Sequence, residues 1–254
     1  MPHTLVAFLE DIDLANTLQP ITAAPDQHVY YTGDDIRVPT LNQVVAVAAG
    51  LASGGTQVAR LTAPSLRPRG HVHVMPTNGG ADADVEPDAD ENVYDLRRTP
   101  VVLVTGEMLN AELRSDTTAA ADQWMLVWLS SGPIAAVEGN VQTVSLTGAT
   151  TVTARAWSTC ALTPETDLEA GTYEVVGMRY LGASAIAGRL ILTESPWRPG
   201  VIGCDDEQDL PHSIFRHGRF GSFGTFRHDT PPQLEALCDL ADTAQSVYLD
   251  VIKR

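Results

Sequence analysis

The clearest pattern of apolar and polar positions runs from Gly171 to Leu192. Val175, Val176, Met178, Tyr180 and Leu181 form one apolar run, and Ile186, Leu190, Ile191 and Leu192 form another, on either side of the small-residue break Gly182-Ala183-Ser184-Ala185. That pattern predicts two paired strands in the middle of a sheet. Over Thr151 to Leu162, Val152, Ala154, Ala156 and Cys160 alternate with Thr151, Thr153, Arg155, Trp157 and Thr159, the period of a half-buried strand. Trp124 to Leu129 is apolar without alternation, as in a strand covered on both faces. Shorter strands are expected at His28–Tyr31, Val101–Val104 and Val141–Leu146, with Ser246–Ile252 closing the chain. Glu107 to Arg114 fits a helix or a strand equally well.

Three stretches read as helices. Leu5, Phe8, Leu9 and Ile12 repeat at i, i+3, i+4 and i+7 behind a capping Thr4, which predicts a short amphipathic helix or, failing that, an extended arm. Leu41 to Ser53 places Leu41, Val44, Val45, Ala48, Leu51 and Ala52 on one helical face and stops at Gly54-Gly55. Its other face carries Ala46, Val47 and Ala49, so such a helix must be buried within the domain or between subunits. Leu41, Val44, Val45 and Val47 are therefore interface candidates. Thr230-Pro231-Pro232-Gln233 has a cap, a first-turn proline and a capping-box glutamine, ahead of Leu234, Leu237, Cys238 and Ala241. Taken together, many short strands and two or three short helices predict a mainly β chain, an antiparallel sandwich of jelly-roll type. A loop-rich N-terminal arm is expected over residues 1–99 and the β domain over 100–254, unless the two are continuous.

Composition narrows the function classes. The 254 residues carry a formal charge of −16, and Asp82, Asp84, Glu86, Asp88, Asp90 and Glu91 supply six of the negative charges. Nucleic-acid binding over most of the surface is disfavoured. Cys160, Cys204 and Cys238 are odd in number and widely spaced, which fits small buried side chains and no disulfide framework. The apolar stretch Thr4–Leu9 has no basic residue before it and is interrupted by Glu10, Asp11 and Asp13, unlike a secretory signal. No segment approaches the ~20 apolar residues of a membrane-spanning helix, so a soluble chain is expected.

Candidate chemistry is sparse. His71 and His73, at i and i+2, would share one face of a strand and could share a metal, the arrangement a cupin-like β-barrel enzyme would complete with His212, His217 or His228. The acids Asp82, Asp84 and Glu86 begin an alternating run that would admit a structural Ca²⁺, the one cofactor the sequence offers, although Pro87 stands where the helix-loop-helix calcium loop has glycine. A solvated acidic loop is the simpler reading. Four of the five phenylalanines, Phe215, Phe220, Phe223 and Phe226, fall in twelve residues among Gly218, Gly221 and Gly224. With Arg216, Arg219 and Arg227 they could stack single-stranded nucleic acid, but core or subunit interface fits the negative surroundings better. Trp124, Trp128, Trp157 and Trp197 are the stacking platforms that a carbohydrate- or protein-binding module would use, Trp157 foremost. Neither a nucleophile elbow nor a phosphate loop occurs, and the one lysine is Lys253.

The Thr/Ala/Val/Gly-rich strands from Pro100 to Leu192, the loop-rich N-terminal stretch and the closing strand Ser246–Ile252 resemble virion shell proteins of the β-sandwich (jelly-roll) kind. The resemblance implies a structural capsid subunit located in the virion. Such a subunit performs no chemistry and assembles with copies of itself and with other shell proteins. The alternatives are the metal-dependent β-barrel enzyme and the β-sandwich ligand-binding module.

Overall fold

A computed structural model describes residues 2–11, 14–24, 31–32, 35–51, 56–74, 93–115, 122–204 and 213–254. Two compact units divide the chain: Val6–Pro133, and Ile134–Arg254 together with Met1–Leu5. Strands dominate both. Among the described residues helical structure is limited to the short 3-10 turns Arg67–Arg69 and Ser213–Phe215, and none of it is long and apolar enough to cross a membrane.

The N-terminal unit contains β1 (His3–Asp11), which starts in the other unit, then β2 (Gln19–Ile21), β3 (Tyr31–Thr32), β4 (Asp35–Arg37), β5 (Gln43–Leu51), β6 (Thr56–Thr62), β7 (Val72–Val74), β8 (Tyr94–Asp95), β9 (Val101–Val102), β10 (Met108–Ser115) and β11 (Asp122–Ser130). A five-stranded sheet runs β1-β11-β5-β8, with β9 also on β5. A six-stranded sheet runs β3-β4-β10-β6-β7, with β2 on β10. β5 touches β6 and β7, which brings the two sheets together. The composition change at Pro100, where the main β domain was expected to begin, falls inside this unit, between β8 and β9.

Two expected helices are strands here. β5 occupies most of Leu41–Ser53, pairing antiparallel with β11 from Leu51↔Gln123 to Gln43↔Ser130. Val44 to Ala49 are all fully buried, on both faces of the strand. A run apolar on every side satisfies helix and covered-strand templates alike, and the neighbouring strands decide between them. The same holds for β1, where Leu5 to Phe8 are buried without interruption, so the apparent helical spacing was a by-product of a continuous apolar run.

The C-terminal unit contains β12 (Gln142–Gly148), β13 (Ser158–Ala161), β14 (Thr163–Pro164), β15 (Thr172–Leu181), β16 (Ala185–Ile191), β17 (Gly200–Cys204), β18 (Gly224–Arg227), β19 (Gln233–Cys238) and β20 (Gln245–Lys253). They form one sheet in the order β13-β19-β16-β17-β15-β20-β12-β14, with β18 on β15. The third expected helix is β19, buried between β13 and β16. Its capping signature at Thr230 yields to pairing on both strand edges. The strand expected at Thr151–Leu162 forms as β13 only over Ser158–Ala161; before it Val152 and Ala154 make isolated bridges, and Arg155 adopts a left-handed φ of 59°.

β15 and β16 are strands as predicted, but they do not pair with each other. β15 pairs with β20 and β18, β16 pairs with β19, and β17 links the halves through two parallel pairs, Tyr180↔Gly203 and Leu181↔Cys204. The chain turns at Gly182–Ser184, with Ser184 at φ 56°, and crosses from one half of the sheet to the other. Tyr180 spans the space between them. Its ring lies over Gly188 of β16, and its hydroxyl meets Gln245 of β20 and Cys238 of β19, the latter at 3.2 Å. The three cysteines are buried free thiols.

A Cβ at position 188 would stand 2.6 Å from the Tyr180 ring. Gly188→Ala is therefore expected to cost about 1–3 kcal/mol through overpacking, read as a lower urea midpoint, whereas Tyr180→Phe keeps the ring and should cost less.

Candidate functional site

The outward face of the six-stranded sheet carries a row of polar side chains. On β10, Leu109, Ala111 and Leu113 point into the core, so Asn110 and Glu112 point out. Register places Glu112 opposite Arg60, and Asn110 opposite Thr62; pairing of β4 with β10 brings Asp35 to the same face. Arg60 and Glu112 form an ion pair. The connection from β6 to β7, residues 63–71, folds back over this face and closes a pocket of ≈ 380 Å³ whose lining includes Asp35, Arg60, Thr62, Arg67, His71, Asn110 and Glu112.

Glu107 holds that connection in place. Its carboxylate accepts from Ser65 N at 2.9 Å, from Val104 N at 2.7 Å and from the Ser65 hydroxyl. Burial alone would raise its pKa, but these hydrogen bonds and the charge of Arg69 hold it below the usual carboxylate value. Leu66, fully buried, anchors the turn, and its carbonyl accepts from Arg69 N and His71 N. His71 sits at φ 66°, a left-handed conformation uncommon for a non-glycine residue. Its Nδ1 is buried and has no hydrogen-bond partner among the described residues.

The two histidines of the sequence motif therefore part company. Only His73 lies on β7, opposite Arg60 and exposed, while His71 precedes the strand and reaches the pocket through the turn. Of the proposed additional ligands, His217 lies 3.6 Å from Asp250, and His228 Nδ1 accepts from Gly171 N at 3.3 Å. His212 and the acids Asp82, Asp84 and Glu86 lie outside the described residues. Among the described residues no three His, Cys, Asp or Glu side chains are grouped to hold a metal ion.

The interface candidates use their surface inside the chain. Leu41, Val44, Val45 and Val47 are buried in the N-terminal unit, and Phe215, Phe220, Phe223 and Phe226 in the C-terminal unit. Two of the phenylalanines, Phe220 and Phe223, flank a residue that no sequence pattern singles out. The His3 imidazole is 1% exposed, edge-on to Phe220 at 5.1 Å and to Phe223 at 4.8 Å, and neither ring nitrogen has a hydrogen-bond partner among the described residues. Burial lowers its pKa from 6.5 to about 3. The glycines among the phenylalanines allow the tight approach: Gly218, at φ 76°, donates to Val176 O, and a Cβ there would collide with Val137 O.

Buried charges in the C-terminal unit are closed off. Asp250, fully buried on β20, accepts two hydrogen bonds from Arg216 at 2.7 and 2.8 Å, one from His217 N and one from the Thr143 hydroxyl. Desolvation pushes its pKa up, but these donors more than offset it and leave it lowered. Arg189, 1% exposed, donates to Glu235 at 2.7 Å and to Leu5 O at 3.1 Å, beneath the Trp157 ring at 3.9 Å. The face of Trp157 expected to stack a ligand is occupied by Arg189. Trp124 and Trp128 are buried.

No family model matches the chain, and no curated protein does. Among solved structures the chain is similar to the major capsid protein P2 from bacteriophage PM2. The alignment covers 99% of this chain and 98% of that one, at 10% identity and a TM-score of 0.27.

A histidine kept neutral by burial stabilises the fold fully above its unfolded pKa, and that stability is lost as pH falls from about 6.5 towards about 3. The loss between pH 7 and pH 5 is expected to be about 2 kcal/mol. In chemical denaturation at stepped pH, His3→Leu should flatten the curve over this range. Acid loss below about pH 4 should persist in that variant, because carboxylates with lowered pKa values, such as Asp250, lose their contribution there.

Proposed function

We propose that the chain is a structural subunit that assembles with copies of itself, as a virion shell protein does. The observation that supports this reading best is the free edge of the five-stranded sheet. β5 is paired on one side with β11, and on the other with β8 and β9 in succession, Val47↔Tyr94 and Ala46↔Asp95 followed by Val44↔Val101 and Gln43↔Val102. Beyond β8 and β9 no further strand pairs among the described residues.

Along this edge Tyr94 and Val102 are 50% and 47% exposed, and Val104, in the turn just after β9, is 59% exposed. Exposed edges template pairing with another chain, and proteins that stay monomeric blunt them with charge. Here Asp95 is bound by Arg97 through two hydrogen bonds of 2.9 and 2.7 Å, and Arg69 donates to Val102 O at 3.4 Å; the side chains of Tyr94 and Val102 stay exposed beside these charges. A second copy is the partner this reading names, because closed assemblies bury the same patch on every subunit.

Light scattering and negative-stain imaging of the full chain test the proposal. Discrete oligomers or closed particles are expected. Tyr94→Glu with Val104→Glu should return the protein to monomers while its thermal midpoint shifts by no more than a few degrees, since surface substitutions usually fall within about ±0.5 kcal/mol. A wild-type monomer at all ionic strengths would refute the reading.

A further inference from the structure

We propose that the pocket on the outer face of the six-stranded sheet binds an acidic sugar. Arg67 and His71 would take the acid group, and Asp35, Asn110 and Thr62 the hydroxyls. This site lies within the N-terminal unit and does not depend on assembly.

The charges of the lining separate into those already used and those left open. Arg60 and Glu112 neutralise each other, and Asp35 already has a polar contact. Arg67 makes no ion pair among the described residues, and His71 Nδ1 is buried without a partner. His71 also lines the pocket, and its partnerless Nδ1 marks an imidazole whose hydrogen bonds the chain does not complete. The guanidinium fork of an arginine suits the two oxygens of a carboxylate.

An inorganic anion would use only that half of the pocket. The other half, the Asp35–Asn110–Thr62 row, supplies acceptors and donors side by side. Neighbouring hydroxyls of a sugar need that combination, since each hydroxyl both donates and accepts. Met108 and Pro64 add apolar surface for the ring C–H groups. The volume of ≈ 380 Å³ lies within the range of small-molecule sites.

The wall stands ready before a ligand arrives. Glu107 clamps its start through Ser65, Leu66 is buried beneath it, and His71 N is tied to Leu66 O at 3.2 Å. Less ordering is then needed on binding. The left-handed backbone at His71 is the strain this placement carries.

The test is titration of the full chain with D-glucuronate, D-galacturonate, D-glucose and acetate, followed by calorimetry and ligand-observed NMR. At least one hexuronate is expected to bind ~10-fold or more tightly than both glucose and acetate. Arg67→Ala and His71→Asn should each remove most of that advantage over glucose, and Asn110→Ala should weaken hexuronate relative to acetate. Arg67 is exposed, so its variant keeps the fold and decides the matter if His71→Asn lowers stability. Hexuronate binding no tighter than acetate would mean a bare anion site. Binding no tighter than glucose would mean a neutral-sugar site. Either result, no binding at all, or an advantage unaffected by Arg67→Ala, overturns the proposal.

Discussion

A carboxylate taken out of water must be met by charge and hydrogen bonds, and Glu235 on β19 meets that demand with Arg189 from β16 and Arg198 from the loop before β17. Each arginine carries a further tie. Arg189 reaches Leu5 O and lies under Trp157, while the Arg198 carbonyl accepts from Leu5 N and its amide donates to the Thr4 hydroxyl. The first residues of the chain are thereby bound to a unit otherwise made from its second half. Removing one member of such a group leaves an unmatched buried charge, at a cost of about 3–5 kcal/mol. Asp250 does for the phenylalanine-rich segment what Glu235 does for the N-terminus, since Arg216 and the His217 amide dock that segment onto β20.

Closure of these groups separates framework from function. In the C-terminal unit the buried carboxylates Asp250 and Glu235 are met by arginines of the chain itself, and these groups hold loops against strands. On the outer face of the six-stranded sheet the balance differs: Arg60 and Glu112 close one ion pair, and Arg67, exposed and in no ion pair among the described residues, lines a pocket with His71. Functional groups on a loop positioned by a rigid sheet are a common arrangement, and here Glu107 supplies the rigidity.

The free edge at β8 and β9 belongs to the five-stranded sheet, whereas the pocket belongs to the six-stranded one. The proposed self-association and ligand binding would therefore draw on different sheets of the same unit. The apolar residues that looked most suited to an interface, such as Val45 and Phe220, are fully buried where they are.

By itself the sequence determined the class of the fold and several of its strands. The period-two and covered-strand patterns at Ser246–Ile252 and Trp124–Leu129 are local, and β20 and β11 follow them. It also singled out His71, as half of a metal-binding pair with His73. Tertiary structure alone decided between helix and strand at Leu5–Leu9, Leu41–Leu51 and Leu234–Cys238, because a run buried on every side carries no period and takes its form from the strands beside it. Only tertiary structure could separate β15 from β16, since the turn at Gly182–Ser184 permits a hairpin or a crossing, and Tyr180 over Gly188 selects the crossing. The same is true of the pocket and of His3. Asp35 and Asn110 are brought together by strand register and Arg67 joins them through the β6–β7 connection, while the imidazole at position 3 is flanked by Phe220 and Phe223, more than two hundred residues away in the chain.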